Sequence, residues 1–436
     1  MRKLTFRGGI HPDDGKSITM NLPIKVVQAG KELVYPLSQH IGARAKPLVE
    51  KGDRVLRGQK IAEAEGFVSA PIHASVSGMV KGLEDRRVAT GELVKSIIVE
   101  NDGLNEETTF CTYQENTTKE EIRAIVREAG IVGMGGAGFP AAVKLSPKEP
   151  AQIEYVIANC AECEPYLTSD YRRMIEEPER IVNGLRTVLR LFDKAMGLLV
   201  VEDNKPEGIA ALRKVVRGER RILVKSVKTK YPQGAERQLI YAVTGRKISS
   251  AHLPADVGCI VHNADTLTAI GRAVSEGRPL TDRVVTVTGD AIANPGNYLV
   301  PIGTSFQDLL DAVGGFRKEP QKMICGGPMM GFAMFDTKIP ITKTATALLA
   351  FEKDVVSETV EEPCINCGRC LDVCPGRIMP CKLADCAQHG DAEQFHALFG
   401  MECCECGCCS YICPAKRPLT QWIKSMRKSE LAKRKK

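Results

Sequence analysis

Cysteines at a repeated spacing are the residues of this chain with the clearest capacity for chemistry. Twelve of the 17 cysteines in the 436 residues lie between Cys364 and Cys413. Two runs there share the spacing C-x2-C-x2-C-x3-C-P, and they begin at Cys364 and Cys403. Spacers of two residues let three thiolates converge on one metal centre, while the fourth, beside a rigid Cys-Pro turn, reaches a neighbouring centre. The spacing therefore predicts two cubic [4Fe–4S] clusters in a two-cluster ferredoxin-like helical domain over residues 360–420.

The repeat also assigns the eight predicted ligands, because the last cysteine of each run serves the other cluster. One set is Cys364, Cys367, Cys370 and Cys413, and the other is Cys403, Cys406, Cys409 and Cys374. Cys404 and Cys408 are spare thiols in the second run, but only the 403/406/409/413 register reproduces the first run. We expect Cys381 and Cys386, between the runs, to be ordinary buried thiols.

Two other uses of these thiols fit the pattern less well. Structural zinc sites favour two well-separated CxxC pairs rather than three cysteines in a row followed by Cys-Pro. A disulfide framework suits a short secreted chain, and this one is long, with no signal sequence at its start. The concentration of cysteine in one stretch indicates a reducing compartment.

Charge and hydropathy restrict the partners. No apolar run approaches the roughly eighteen residues of a spanning helix, so we expect a chain that is soluble by itself. Much of the net charge of +7 lies in a basic tail over residues 421–436, which we interpret as a solvated end. An anionic membrane face or an acidic protein is the alternative partner for that tail. The absence of a basic stripe interleaved with aromatics argues against nucleic acid.

The elements that must position this chemistry begin with an N-terminal region over residues 1–110. Short β segments in AKPLVEKGDRVLRGQKIAEAEGFVSAPIHASVSGMVKGLE alternate apolar and polar residues, as in a small sandwich or barrel. This stretch resembles the barrel-sandwich module of lipoyl and biotinyl carrier domains. Its tip, GFVSAP, has no lysine for cofactor attachment, so we predict a structural or docking module.

Residues 115–278 alternate helical and strand patterns, which predicts an α/β layered domain. A helix begins at a capping box made by Thr118 and Glu121. Strands are predicted at IEYVIAN, GLLVVED, RILVKSVK and GCIVHN, with amphipathic helices between them. Residues 280–350 return to β character and suggest a β-grasp unit that acts as a spacer.

The loop IVGMGGAGFPAAVKL contains Gly133, Gly135 and Gly138 at the G-x-G-x-x-G spacing. An amphipathic helix precedes it where a dinucleotide fingerprint needs a strand, so an ordinary Rossmann site is excluded. Glycine amides and the helix start after Pro140 can still bind a phosphate within reach of Lys144. The alternative is that the loop only connects two helices. NCAECEPYLTSD, YPQGAER and HNADT follow predicted strand ends, which favours a cofactor crevice there.

Taken in order, GMGGAGFPAAVK, NCAECEP, YPQGAER and HNADTLT resemble the flavin and NADH crevice of the flavoprotein subunit of respiratory complex I. The loops of that flavoprotein read GRGGAGFPxGxK, NxDExEP, YxCGEE and NNxET. With its N-terminal module, SLBB-like β-grasp unit and two-cluster end, the whole chain is similar to the RnfC proteins of the Rnf electron transport complex.

The resemblance implies roles for individual residues. The phosphate of a non-covalent FMN would be held by Gly133, Gly135, Gly136, Gly138 and Lys144. The flavin would be lined by Asn159, Glu162, Gly234, Asn263 and Thr266. NAD(H) would meet Phe139, stacked on a ring, and the candidate catalytic residues Glu164 and Glu236. The chain departs from the complex I pattern at Met134, Ala161, Cys163, Ala235 and His262.

The function implied by the resemblance is electron input to a membrane-bound, ion-translocating NAD:ferredoxin oxidoreductase. Electrons would pass between NADH, FMN and the two [4Fe–4S] clusters. The partners would be the membrane and ferredoxin-like subunits of the Rnf complex, with ferredoxin reached indirectly, at the cytoplasmic inner face of the cell membrane. Two alternatives remain open: a cobalamin-reductase-type flavo-iron–sulfur protein, and a non-catalytic, cluster-bearing assembly scaffold.

Overall fold

A computed structural model describes residues 4–110, 116–136 and 138–433. Four structural units follow one another along the chain: a β sandwich, an α/β unit, a mixed β unit and a helical unit. Among the described helices, none combines the length and apolar character that a membrane crossing requires.

The first unit is built from two small sheets that enclose one apolar core. Its core is closed by completely buried side chains such as Leu33, Ile61 and Ile97. One sheet has the order β2-β8-β7-β4 and the other the order β3-β5-β6. The strands are β1 (Ile24–Val26), which lies outside both sheets, β2 (Glu32–Pro36), β3 (Lys46–Pro47), β4 (Arg54–Val55), β5 (Lys60–Glu63), β6 (Ile72–His73), β7 (Gly78–Arg87) and β8 (Leu93–Asn101).

The residues before β2 pair with the α/β unit and with the third unit. Strand β1 pairs in parallel with a strand of the third unit, with Ile24 opposite Asn297. Before it, Leu4 forms a bridge to Val227 of the α/β unit, and the side chain of Lys16 is buried against that unit. The first residues therefore join units that follow much later in the sequence.

The second unit is a four-stranded parallel sheet of order β11-β10-β9-β12, covered by helices on both faces. The sequence predicts all four strands, because buried parallel strands are continuous apolar runs. Its elements are α1 (Lys119–Glu128), α2 (Ala141–Lys144), β9 (Tyr155–Cys160), α3 (Ser169–Glu176), α4 (Pro178–Leu189), β10 (Met196–Glu202), α5 (Pro206–Val215), β11 (Ile222–Val227), α6 (Glu236–Thr244), β12 (Cys259–Asn263) and α7 (Ala264–Glu276).

Local signals explain where these helices begin and end. The predicted capping box of α1 is present: the Thr118 hydroxyl accepts from Glu121 N, and the Glu121 carboxylate accepts from Thr118 N at 2.7 Å. Helix α3 ends before Pro178, which has no amide hydrogen to continue it, and α4 begins at this proline. Asn263 caps α7 by accepting from Asp265 N and Thr266 N.

The third unit is a six-stranded mixed sheet of order β1-β14-β13-β17-β15-β16, with one helix packed on it. Strands β13 and β14 form an antiparallel hairpin, and Ser305 caps the helix that follows it. The contribution of β1 from the N-terminus was not predicted, because a three-residue strand has no readable period. The elements are β13 (Asp282–Thr288), β14 (Gly296–Pro301), α8 (Phe306–Ala312), β15 (Lys322–Cys325), β16 (Phe332–Met334) and β17 (Ala347–Phe351).

The fourth unit is helical and carries both cysteine runs. Its helices are α9 (Arg369–Val373), α10 (Pro380–His389), α11 (Ala392–Ala397), α12 (Cys408–Ile412) and α13 (Leu419–Lys433). The basic tail predicted over residues 421–436 belongs, as far as Lys433, to a helix whose side chains are mostly exposed. Helix α13 extends through it, and Ile423 is fully buried against Leu383 and Phe395 of α10 and α11. The basic side chains lie on the outer face of a helix that closes the core of this unit.

Lys343 joins three of the four units. It follows the helix of the third unit, and its ammonium donates to Pro71 O of the sandwich at 2.5 Å and to Gly130 O of the α/β unit at 2.6 Å. Burial lowers the pKa of Lys343 to about 7. The two carbonyl contacts fix the start of the glycine loop relative to both neighbouring units.

We predict that Gly184→Ala destabilises the protein. A Cβ at this position of α4 would lie 1.9 Å from Leu267 O of α7, so the two helices would have to separate. Gly208→Ala in α5 is the matched control, since its Cβ would meet Met174 Sδ at an ordinary 3.5 Å. In urea unfolding we expect a loss of about 1–3 kcal/mol for the first and a gain of about 0.5–1 kcal/mol for the second. Equal effects would contradict the close helix contact.

Candidate functional site

A crevice lies where the strand order of the parallel sheet reverses. The chain runs outward from β9 to β10 and β11 and then returns to add β12 on the other side of β9. In open α/β sheets, ligands bind at this point, outside the carboxyl ends of the strands. Asn159 at the end of β9 lies opposite Asn263 at the end of β12, and the loop NCAECEP leaves the same edge. The structure therefore brings these predicted flavin residues together.

The glycine loop lies against the start of α7 at this crevice. The loop closes on itself through Gly133 N, which donates to Phe139 O at 2.8 Å. Thr266 accepts from Met134 N at 2.9 Å, and a Cβ at Gly135 would lie 3.1 Å from Asn263 Cβ. Thr266 is completely buried and so holds the loop from behind.

Two other units support the same loop. Gly138 has a left-handed φ of 66°, and a Cβ there would approach Thr344 of the third unit and His40 of the sandwich. The buried Arg283 of β13 donates to Met134 O at 3.1 Å. The loop conformation thus depends on the assembled protein and not on the α/β unit alone.

Lys144, predicted to reach the phosphate, is paired with Glu236, predicted to meet the nucleotide. The Lys144 ammonium lies 2.7 Å from Glu236 Oε1 and also donates to Val261 O at 3.1 Å. Both side chains are partly exposed. His262 lies nearby, and burial together with the Lys144 charge lowers its pKa to about 3. The Lys144 ammonium therefore lies at the crevice with Glu236 as its counter-ion, and an anionic ligand can compete with Glu236 for it.

Glu162 is held away from the open side of the crevice. Its carboxylate accepts from Asp170 N at 2.7 Å at the start of α3, and it lies 3.9 Å from the buried ammonium of Lys16. Burial raises its pKa, and Lys16 and Lys205 oppose that shift. Lys205 also donates to Ala161 O at 2.7 Å. Two buried lysines that the sequence analysis missed therefore fix the NCAECEP loop, and as single lysines in loops they carry no motif.

Glu164 lies between the crevice and the third unit. Its Oε2 accepts from Met329 N at 3.2 Å, and a Cβ at Gly327 would lie only 2.2 Å from that oxygen. Its Oε1 is buried without a hydrogen-bond partner. Burial raises the pKa of Glu164 to about 7, so its carboxyl can hold or release a proton near neutral pH.

Asp170 is a further crevice residue that the sequence analysis quoted but did not assign. Asn263 Nδ2 donates to Asp170 Oδ2 at 2.5 Å, which links the start of α3 to the end of β12. Burial, with the nearby Glu162 and Asp265 carboxylates, raises the pKa of Asp170 to about 8.

The crevice fits a flavin nucleotide in two respects. At Gly136, with φ 141°, a Cβ would meet nothing within 4 Å, so the loop backbone is open on the side where a phosphate would approach. The buried polar atoms that lack partners include His262 Nε2, Glu164 Oε1 and both amide atoms of Gln233, beside Gly234. Asn159 Nδ2 donates to Gly234 O at 2.8 Å and fixes this side of the crevice. Such atoms are available for the polar edge of a bound ring system.

Two cavities in the helical unit are lined by the predicted cluster ligands. Thiols of Cys364, Cys367, Cys370 and Cys413 line one, which we call the outer cavity, together with Cys381. Thiols of Cys374, Cys403, Cys406 and Cys409 line the other, the inner cavity, together with Cys404 and Cys408. Each cavity takes three cysteines from one run and the last cysteine of the other. All these cysteines are free thiols, and four thiolates around one cavity are the donor set of a cubic iron–sulfur cluster.

The backbone of the two runs repeats as closely as their spacing. Asn366 and Glu405 have φ of 54° and 57° at the same position after the first cysteine of each run. Gly368 and Gly407, at 76° and 81°, precede the short helices α9 and α12. This repetition favours the register in which Cys403 matches Cys364.

An apolar cluster joins the inner cavity to the crevice. Cys163 of the NCAECEP loop and Tyr231 of the YPQGAER loop pack with Cys406 and Cys408, together with Met329. By contrast, Cys364 and Cys367 of the outer cavity are exposed. The inner cavity therefore shares a water-poor wall with the crevice, whereas two thiols of the outer cavity are exposed to solvent.

Comparison with known proteins identifies the same units. A family model described as the RnfC barrel sandwich hybrid domain matches residues 4–104, the Nuo51 FMN-binding domain matches 126–272, and the SLBB domain matches 284–333. The C component of the proton-translocating ferredoxin:NAD(+) oxidoreductase complex of Clostridium ljungdahlii is 45% identical over 87% of this chain and 84% of its own length. Its Na(+)-translocating counterpart in Acetobacterium woodii is 42% identical over 99% of this chain and 98% of its own length. This chain belongs to the RnfC family.

The RnfC resemblance predicted from the sequence is confirmed, as is the multidomain α/β architecture. The C component of the ion-translocating oxidoreductase complex of Rhodobacter capsulatus is a further relative, 39% identical over 90% of this chain and 77% of its own length. A solved NAD+-reducing [NiFe]-hydrogenase in the air-oxidized state matches 64% of this chain and 54% of that chain, with 21% identity and a TM-score of 0.49.

We predict that Asp170→Asn changes how stability depends on pH. The folded protein holds the Asp170 proton up to a pKa of about 8, well above the ordinary value of 3.8, so this group lowers stability as pH rises through that interval. The slope is at most about 1.4 kcal/mol per pH unit. Asparagine removes this titration and can still accept from Asn263. The difference in unfolding free energy between variant and parent should therefore shift in favour of the variant from pH 5 to pH 8; a difference independent of pH would contradict the buried neutral carboxyl.

Proposed function

We propose that this RnfC-family chain is the electron-input subunit of an ion-translocating NAD:ferredoxin oxidoreductase complex. It would bind NADH and FMN in the crevice and two [4Fe–4S] clusters in the cysteine cavities. The observation that carries the proposal is the apolar contact of Cys163 and Tyr231 with Cys406 and Cys408, which joins the crevice wall to the inner cavity. Binding sites for a two-electron and a one-electron carrier in direct contact favour electron transfer within this chain over a scaffold role.

The glycine loop would hold the FMN phosphate. Gly133, Gly135, Gly136 and Gly138 supply backbone without side chains, so amide groups can approach the anion. Lys144 would exchange part of its contact with Glu236 for the phosphate, which a mobile ammonium allows. Asn159, Glu162, Gly234, Asn263 and Thr266 would form the flavin wall, Glu162 and Thr266 mainly by fixing the loops and Asn159 and Gly234 more directly.

The nicotinamide nucleotide would enter beside Phe139, with Glu164 and Glu236 on its polar side. When bound, FMN would accept a hydride from NADH as an electron pair, and the clusters would carry electrons one at a time. Glu164 is suited to hold a proton near the flavin, because burial raises its pKa to about 7 and its Oε1 has no hydrogen-bond partner. The packed wall of Cys163 and Tyr231 would exclude water from the path between the carriers.

The two cavities suggest an order of transfer. Cys374, Cys403, Cys406 and Cys409 would hold the cluster next to the crevice. Cys364, Cys367, Cys370 and Cys413 would hold the cluster that faces a partner, since two of these thiols are exposed. The partners would be the other subunits of the Rnf complex, with ferredoxin reached through them, and the chain would sit on the inner, cytoplasmic face of the cell membrane.

Anaerobically purified protein should contain about eight iron atoms together with bound FMN. NADH should bleach the flavin absorbance and generate the signals of reduced clusters in electron paramagnetic resonance spectra. Iron without FMN, or FMN that NADH does not bleach, would exclude the proposed function. If NADH bleaches the flavin but the clusters stay oxidised, electron transfer from flavin to clusters within the chain is excluded.

Gly136→Asp should abolish FMN binding, because it places a carboxylate where the phosphate is proposed to lie. Gly136→Ala is the matched control: its Cβ has open space and it suffers the same backbone strain at φ 141°, but it adds no charge. We expect FMN affinity to fall at least about a hundredfold further in the aspartate variant than in the alanine variant, in line with about 3 kcal/mol for a repelled anion. Iron content should be unchanged in both. Equal FMN affinity of the two variants would place the phosphate elsewhere.

A further inference from the structure

The outer cavity contains one thiol more than a cubic cluster requires. Besides Cys364, Cys367, Cys370 and Cys413, its wall includes Cys381. Cys381 and Cys370 line the same cavity, and neither sulfur is in a disulfide. The sequence interpretation of Cys381 as an ordinary buried thiol is therefore wrong, because its side chain is only partly buried and faces the predicted ligands.

Cys386 shows how a structural cysteine of the same helix differs. It lies further along α10, is buried, and packs with Leu383, Ala384 and Phe395 in the apolar core of the helical unit. It does not line either cysteine cavity. The sequence interpretation of Cys386 as a buried thiol agrees with this position.

The position of Cys381 suits a metal ligand. It is the second residue of α10, a ten-residue helix that begins at Pro380. The first amides of a helix point outward and favour negative charge, such as that of a thiolate. Lys382, which also lines the cavity, adds a positive charge beside it. Pro380 is the first residue of the helix, a position that its fixed φ favours. Cys381 therefore lies in the cavity wall because of how the helix begins.

We propose that Cys381 is a reserve iron ligand of the outer cluster, able to replace Cys370. This inference rests on the proposed function, since it requires the outer cluster to exist. In the exchange, the iron–sulfur bond to Cys370 breaks and one to Cys381 forms. The Cys381 thiol would lose its proton as it binds iron, the released Cys370 thiolate would take up a proton, and no electron would change place. The outer cluster, whose cavity is the more exposed one, thereby keeps four thiolate ligands when one is lost.

The test compares the full-length variants Cys370→Ser, Cys370→Ser/Cys381→Ser and Cys370→Ser/Cys386→Ser, purified without oxygen. Iron content and paramagnetic resonance of the dithionite-reduced protein report the clusters, and bound FMN reports that each variant is folded. The single variant and the Cys386 double variant should keep about as much iron as the parent. The Cys381 double variant should lose about half, because one of two clusters is lost. Equal iron loss in the single variant and the Cys381 double variant would overturn the proposal.

Alkylation provides a second, independent measurement. In the cluster-loaded parent, Cys381 should react with iodoacetamide, as a free thiol does. In Cys370→Ser it should be protected, since its sulfur is bound to iron. Reaction of Cys381 to the same extent in both proteins would exclude the ligand exchange. A parent protein that contains no iron would instead refute the proposed function itself, and the two failures are thereby distinguishable.

Discussion

The apolar contact between the crevice loops and the second cysteine run is the constraint on which the rest of the architecture depends. Cys163 and Tyr231 come from two loops of the parallel sheet, and Cys406 and Cys408 from the helical unit, more than a hundred residues later in the chain. Dense packing excludes water and allows little relative motion. The wall therefore holds the crevice and the inner cavity at a fixed separation.

The glycine loop shows why the other units are present. Its backbone is held by Thr266 from within the α/β unit, by Arg283 from the mixed sheet and, at Gly138, by contact with His40 of the sandwich. Lys343 adds a bond to Gly130 O at the start of the loop. The sandwich and the mixed β unit therefore both contribute contacts that hold the glycine loop in place.

The sequence predicts most of the fold and the composition of both sites, because these depend on local patterns. The four parallel strands are apolar runs, the α1 capping box is a local motif, and the two cysteine sets follow from spacing alone. What it does not predict depends on contacts between distant segments. Lys16 and Lys205 are single residues that clamp one loop, and their roles follow from burial. Helix α13 was not predicted, because its sequence is dominated by charged residues and only Leu419 and Ile423 of its apolar residues are buried.

Several predicted ligand-binding residues are paired with other side chains of the protein. Lys144 and Glu236, predicted to contact different ligands, neutralise each other, and Asn263, predicted to line the flavin, has its side chain engaged with α7 and Asp170. Resemblance to a motif indicates which residues belong to the site, but not whether their polar atoms bond to a ligand or to other residues of the protein. Only the geometry separates residues that face a ligand from those that hold the loops in place.

Strand β1 has a consequence for how the protein is made. It pairs with β14, which follows it by about 270 residues, so it has no strand to join until that intervening chain has been synthesised. Contacts between such distant segments form late, and an unpaired edge is open to wrong pairing in the meantime. The strand is only three residues long, which limits the surface it offers to other nascent chains while it waits. Pairing of β1 with β14 thus closes one edge of the mixed sheet late in folding, and it joins segments that lie on either side of the sandwich and the α/β unit in the sequence.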